Sequence, residues 1–373
     1  MRIAVIAGYA PSLLNFRGPL LAELAGLGHE VFALAPPDEP DVPERLAGLG
    51  ATFLPIRLNR RGMNPADDWA TLRSVRARLR ELRPELVLAY TIKPVIWGSL
   101  AARLERVPRV YSLVTGLGSA LVGTTWRTRL VFGLVQGLYR AALWGNRAVF
   151  FQNPDDEAFF RSRRLVRPGT PTVVTPGSGV DLDHFAPAPF PEGQPPVFLM
   201  VARLLEQKGV RVFAEAARLV REELPGARFH LVGPREEGPG GIAEAELARW
   251  REEGLVQWFG YTGDVRPRLA ECSAFVLPSH YGEGLPRTSA EAAATGRAVI
   301  TTDHPGCREA LIPGETGLTV PVRDPQALAK AMLRLGREPQ LAGAMGRAGR
   351  RLAEERFDVR KVNRALLEAM ELC

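Results

Sequence analysis

Lysine is nearly missing from this chain. Only Lys93, Lys208, Lys330 and Lys361 occur in 373 residues, although lysine and arginine together number 48. Cysteine is scarce too. Cys272, Cys307 and Cys373 have neither disulfide nor metal spacing, which fits the cytosol. The five histidines, His29, His184, His230, His280 and His304, are scattered and suggest no metal cluster. Long apolar runs are absent. The longest uncharged stretch, 110–126, is rich in Gly, Thr and Ser, too short and too polar to span a bilayer. Met1-Arg2 and the uncharged residues to Phe16 faintly mimic a signal peptide, but a strand-helix-strand reading explains them better. No Gly-x-Gly-x-x-Gly occurs, so dinucleotide binding is disfavoured. Thr115-Gly116-Leu117-Gly118-Ser119 is Gly-rich but lacks a Walker lysine, so it is not a P-loop.

What is present describes a soluble globular chain, 46% apolar and 24% charged, and at this length two domains are expected. The charge is lopsided. Residues 1–188 hold 23 basic against 16 acidic side chains, so the whole net charge of +7 belongs to them. Nucleic acid, an anionic membrane or an anionic substrate would each suit that charge. So would a GC-rich genome that favours arginine. No stacking aromatics accompany the arginines, which ranks nucleic acid last.

Alternation organises the first half. Apolar runs at 3–7 and 31–35 predict buried strands. Between them Leu20, Leu21, Leu24 and Leu27 keep helical period, with Pro19 near the expected start and Gly28 at the end. A βαβ opening predicts a parallel sheet. Leu14-Asn15-Phe16-Arg17-Gly18 reads equally well as an acceptor-site loop or a helix cap. Arg57, Arg60 and Arg61 cluster in an expected loop. Arg73, Arg76, Arg80 and Arg83 share one helix face, for which a solvated surface is the simpler account. Lys93 follows the strand expected at 86–89, at the end where parallel sheets bind ligands. Residues 120–146 are mostly apolar, with Trp126, Arg127, Arg129, Arg140 and Trp144 among them. That suits a membrane interface or a buried helix equally.

Five prolines between 186 and 196 mark a linker. The alternation then restarts. A strand at 197–201 leads to Arg203 and Lys208, another at 229–232 ends at Gly233, and a third is expected at 256–259. The strand at 274–278 runs into Ser279-His280-Tyr281-Gly282-Glu283-Gly284-Leu285-Pro286 and a helix ending at Gly296. Such a strand-turn-helix unit aims backbone amides and a helix dipole over the turn, which suits a phosphate. Glu283 and Glu291 are eight positions apart, just over two helical turns, so both can line one cleft. The reading is α/β: two doubly wound Rossmann-like domains, 1–187 and 188–356, facing a cleft. Residues 357–373 form a helix expected to return to the first domain.

Glu283-x7-Glu291 after a Pro278-Ser279 strand resembles the large family of retaining GT-B glycosyltransferases, of the family 4 type, that use nucleotide sugars. The resemblance covers essentially the whole chain. It implies that Arg203 and Lys208 clamp the donor diphosphate and neutralise the leaving nucleotide. It implies that Glu283 contacts the transferred sugar, that Glu291 binds the ribose, and that Gly284, Leu285, Pro286 and Gly233 line the donor site. In the first half, Asn15-Phe16-Arg17, Thr91-Ile92-Lys93-Pro94 and Thr115-Gly116 resemble a narrower subgroup. That subgroup extends undecaprenyl-diphosphate-linked saccharides, like the N-acetylgalactosaminyltransferases of bacterial N-glycan assembly. The likeness assigns Asn15, Phe16, Arg17, Lys93, Thr115 and Gly116 to the acceptor.

Many relatives carry His where Thr115 stands, and threonine cannot serve as a general base at neutral pH. A front-face mechanism, in which the leaving phosphate takes the acceptor proton, fits this better. The resemblance thus implies a hexosyltransferase with a UDP-sugar donor and no required cofactor, solution Mg²⁺ at most stimulating. Its expected partners are a polyprenyl-diphosphate-linked glycan and an anionic membrane surface, with no nucleic acid. It is expected in the cytoplasm, peripherally on the inner face of the cell membrane. The alternatives are a soluble transferase acting on a free sugar, a sugar-nucleotide epimerase, and a nucleotide-sugar-binding module.

Overall fold

The structure is a computed structural model. It describes residues 1–60, 62, 64–118, 126–238 and 240–373, with the side chains of 126–129 left aside. Arg61 of the basic cluster, Ser119 of the Gly-rich loop, and Trp126, Arg127 and Arg129 therefore lie outside the described side chains. Contacts divide the chain into two compact units, Met1–Ser178 with Arg360–Cys373, and Gly179–Val359.

The first unit is built on a parallel sheet in the order β3-β2-β1-β4-β5-β6-β7. Its strands are β1 (Arg2–Ile6), β2 (Glu30–Ala35), β3 (Ala51–Pro55), β4 (Leu86–Tyr90), β5 (Arg109–Val114), β6 (Ala148–Phe151) and β7 (Thr172–Val174). The central strands are continuous Val, Ile, Leu and Ala runs because helices cover both faces. Ile3, Val5, Leu86, Leu88 and Phe150 are fully or almost fully buried.

The first helix is Ala10–Gly26, earlier than Pro19 suggests. Two prolines compete to mark its start. Pro11 wins, because in the first turn its missing N–H costs nothing. Pro19 is tolerated on the exposed side of the interior. The helix Val359–Ala369 places Leu366 and Leu367, with Met370 just beyond it, in the same core as Leu20, Leu21 and Leu24. Each buried leucine there contributes about 1.5–3 kcal/mol. Asn363 Nδ2 donates to Glu23 Oε2 at 3.1 Å.

The second unit carries a parallel sheet in the order β10-β9-β8-β11-β12-β13. Its strands are β8 (Val197–Val201), β9 (Arg228–Val232), β10 (Gln257–Trp258), β11 (Ala274–Leu277), β12 (Ala298–Thr302) and β13 (Gly317–Val320). The unit begins ahead of the proline-rich stretch. Val180 N–H donates to Phe357 O at 2.7 Å, and Val359 N–H donates back to Val180 O at 3.0 Å. Both sheets are doubly wound. Strand order reverses beside β1/β4 in the first and β8/β11 in the second, and there the carboxyl ends of neighbouring strands leave a crevice for ligand.

Candidate active site

In the second unit the segments after β8 and β11 meet. Residues 206–208 form one tight helical turn ending at Gly209, whose φ is +82°. A Cβ at Gly209 would fall 2.1 Å from Pro278 O, so only glycine lets the two segments touch. Gly233, at φ +141°, is similar: a Cβ there would fall 1.8 Å from Ala202 O. It therefore supplies close backbone approach at the end of β9. His280 N–H donates to Gln207 O at 2.9 Å and ties the segments again.

Lys208 and Glu283 come together across this contact as a direct ion pair, with both side chains largely buried. Ser279 Oγ donates to Glu283 Oε1 at 3.0 Å and accepts Tyr281 N–H at 3.2 Å. The Lys208 ammonium also lies 5.1 Å from the Tyr281 ring centroid. Cys307 is buried nearby, its thiol pushed up to about 12 by burial first and the Glu283 charge second. Arg203 points to a different carboxylate: its Nη1 donates to Glu236 Oε1 at 3.4 Å.

Glu291 is buried in the helix Arg287–Ala294 and accepts from Arg287 Nε at 2.7 Å. Burial pushes its carboxyl above the usual range, and the Arg287 charge and hydrogen bond only partly oppose that. Leu285 and Pro286 are buried and lead into this helix, following Gly284. Among the described residues no group of three His, Cys, Asp or Glu could hold a metal ion. Asp181-Leu182-Asp183 is an Asp-x-Asp, but Asp181 Oδ1 accepts the amides of Asp183 and His184, both at 3.0 Å, and so caps a turn.

In the first unit, Lys93 lies just past β4 at the crevice end. Its Nζ donates to Asp68 Oδ1 at 2.9 Å, and both side chains are mostly buried. Thr91 beside it has φ +68°, a strained conformation for a β-branched residue. The stretch Leu14–Gly18 is neither a loop nor a cap. It is the middle of the helix Ala10–Gly26, where Asn15 and Phe16 face outward and Arg17 inward. The Arg17 guanidinium lies 5.4 Å from the Tyr90 ring centroid. Tyr90 shares a 2.8 Å hydrogen bond with Ser12. Burial pushes Tyr90 up to about 12, against that bond and the Arg17 charge. Thr115 and Gly116 follow β5, the neighbour of β4, with Gly116 at φ +111°.

The basic helix face is partly spoken for. Arg76 Nε and Arg80 Nη2 both bind Glu105 Oε1, at 2.8 and 3.0 Å. The helix Trp126–Leu143 shows two faces. Val135, Tyr139, Ala142 and Leu143 are buried, whereas Leu130 and Leu134 are 66% and 64% exposed and Trp144 is exposed beyond the helix. It is thus neither wholly core nor wholly surface. Arg140 donates to the carbonyls of Arg163 and Arg164, Arg103 donates to Ala141 O, and Arg167 lies over Trp144, so arginines border the outward face. No described helix is long and apolar enough to cross a membrane.

Sequence reasoning missed Ser279, Glu236, Arg287 and Asp68 as partners of the candidate residues. Arg287 could have been found, since it sits four residues before Glu291 on one helix face. Glu236 and Asp68 carry no local signal.

Two family models match the chain and together span most of it. One is described as glycosyl transferases group 1, over residues 195–338, and the other as glycosyl transferase 4-like domain, over residues 17–177. The Campylobacter jejuni N,N'-diacetylbacillosaminyl-diphospho-undecaprenol alpha-1,3-N-acetylgalactosaminyltransferase is 29% identical over 343 residues, 88% of each chain. The phosphatidyl-myo-inositol mannosyltransferase of Mycolicibacterium smegmatis is 27% identical over all of this chain and 94% of its own length. Among solved structures, Anabaena HepE in complex with UDP and glucose superposes with a TM-score of 0.79 at 16% identity, over the full length of both chains.

Proposed function

Because the chain belongs to the GT-B glycosyltransferases, with a group 1 domain following a 4-like domain, we propose that it is a retaining enzyme with a UDP-sugar donor. It moves a hexose or N-acetylhexosamine onto a polyprenyl-diphosphate-linked saccharide. The observation that carries this reading is the Lys208–Glu283–Ser279 contact where the strand order reverses between β8 and β11, on the connection that also carries Arg203. In this reading Arg203 and Lys208 neutralise the diphosphate as the glycosyl bond breaks. Glu283, held by Ser279, accepts hydrogen bonds from the sugar hydroxyls. Glu291 accepts from the ribose, in a site lined by Gly233, Gly284, Leu285 and Pro286. The leaving phosphate takes the acceptor proton on the face it departs from, so Thr115 has no proton to move.

The acceptor assignment rests on the first unit. Lys93 at the β4 crevice end is a cation suited to an anionic acceptor, and Asp68 fixes its position. Arg17, Asn15, Phe16, Thr115 and Gly116 complete that set. The name of the Campylobacter relative, an enzyme of a diphospho-undecaprenol acceptor, supports a lipid-linked substrate here. The exposed Leu130, Leu134 and Trp144, bordered by arginines, support peripheral contact with an anionic membrane.

The test is a panel of radiolabelled UDP-sugars offered with defined polyprenyl-diphosphate acceptors in EDTA. Label should enter the lipid product from one donor, with the anomeric configuration retained. Transfer only to free sugars, donor conversion without acceptor, or inversion would each overturn the reading. Loss of activity in EDTA restored by one metal would overturn its metal-free part.

A further inference from the structure

We propose that Glu236 is a built-in competitor of the donor diphosphate: a carboxylate that pairs with Arg203 and must be exchanged for phosphate oxygens when the nucleotide binds. This rests on the reading of Arg203 as a diphosphate ligand. The contact runs from Arg203 Nη1 to Glu236 Oε1 at 3.4 Å, with the arginine 42% and the glutamate 16% exposed. The cation is thus reachable while its partner is sheltered.

The loop that carries Glu236 is fastened to the segment that carries Arg203 and Lys208. Leu204 N–H donates to Pro234 O at 3.0 Å, Glu206 N–H donates to Gly240 O at 2.7 Å, and Ile242 N–H donates to Leu204 O at 3.1 Å. A Cβ at Gly241 would fall 2.1 Å from Glu236 O, so the backbone there is held at close contact. The backbone of Glu236 is therefore fastened to the segment that carries Arg203, so the exchange falls to its side chain. Glu283 also pairs with a cation, Lys208, but it has a task with the sugar. The same reading assigns no such task to Glu236, and its negative charge sits against the arginine that is to hold the diphosphate. The charge repels a diphosphate and leaves a neutral nucleoside indifferent. Glu236 thereby weakens all nucleotides held through Arg203 alike, and makes their binding depend on the phosphates supplying more than one carboxylate can.

The experiment compares UDP and uridine by calorimetry on wild type, E236Q, R203A and the double variant, with melting temperatures alongside. E236Q keeps the shape and removes the charge. It should tighten UDP roughly three- to tenfold and leave uridine unchanged, and the gain should shrink as salt rises. The gain should vanish in the R203A background. A merely structural role would move uridine and UDP together. If E236Q weakens UDP or leaves it unchanged while R203A weakens it, the competitor is refuted and the diphosphate reading stands. If R203A leaves UDP binding unchanged, that reading fails and the proposal with it. E236A replaces E236Q should the latter fail to fold, with the same outcomes expected.

Discussion

Glu283 and Glu291 are one motif in sequence and two environments in space. Glu283 faces the Lys208 ammonium and the Ser279 hydroxyl. Glu291 is buried behind Arg287, with its carboxyl raised by burial. Assigned to the sugar, Glu283 acts where charge changes during reaction. Glu283→Gln should therefore lower kcat on the order of 100- to 1,000-fold, with no rescue by excess donor. Assigned to the ribose, Glu291 contributes uniform binding, so Glu291→Gln should raise the donor KM and spare kcat. The pH dependence has a definite sign. A carboxylate accepts two ribose hydroxyls; a protonated carboxyl accepts less well. Donor KM in the wild type should rise as pH falls through the raised value, above the usual glutamate range, and Glu291→Gln should flatten that rise. Saturation kinetics between pH 4.5 and 8 decide it. A loss of turnover in Glu291→Gln with a pure affinity loss in Glu283→Gln would reverse the roles.

Single strands carry their own pH signature. His230 is buried on β9, edge-on to Phe259 at 5.0 Å between ring centroids. Burial first, then the Arg228 and Arg268 charges, lowers its pKa from 6.5 to about 4. The folded value is depressed, so the neutral ring's contribution is fully present above 6.5 and is lost as pH falls from there toward 4. Denaturant midpoints at pH 7.5 and 4.5 should show the wild type losing on the order of 1–3 kcal/mol more than His230→Leu. Equal losses would mean the ring does not titrate in the fold.

Elements also show what a sequence can and cannot disclose. β8 was legible to the residue, because a central parallel strand buried on both faces is a continuous apolar run. β3 was not: Ala51-Thr52-Phe53-Leu54-Pro55 is an edge strand, partly exposed and ending in proline. β7 and β13 are short and also lie at sheet edges. At the candidate site, Glu283 and Glu291 stood out by their spacing after one strand, whereas Arg203 and Lys208, after another, stood out only through the family resemblance. The Glu236–Arg203, Lys93–Asp68 and Lys208–Glu283 pairings did not, because each joins residues at least 25 positions apart that only the fold brings together.

Taken whole, the molecule concentrates its charge in one half. Residues 1–188 hold the net +7, and the outward face of the helix Trp126–Leu143 adds exposed leucines. If both act on lipid, binding to anionic vesicles should weaken as salt rises. Leu130→Asp with Leu134→Asp should reduce cosedimentation severalfold without lowering the melting temperature, because neither side chain is in the core. Equally tight binding to neutral vesicles with no salt effect would remove the electrostatic part. Unaltered binding of the double variant would remove the apolar part.

The return of the helix Val359–Ala369 to the first unit bears on synthesis. A ribosome finishes Met1–Ser178 early, yet the core of that unit stays incomplete until Leu366, Leu367 and Met370 have been made. Roughly 190 residues intervene, on the order of 10–40 s at about 5–20 residues per second. Through that interval the apolar groove left by Leu20, Leu21 and Leu24 must be carried unsealed. The second unit, Gly179–Val359, by contrast emerges as one continuous stretch and can close first. The half that is started first is thus completed last, and a chaperone would meet it with this groove still open.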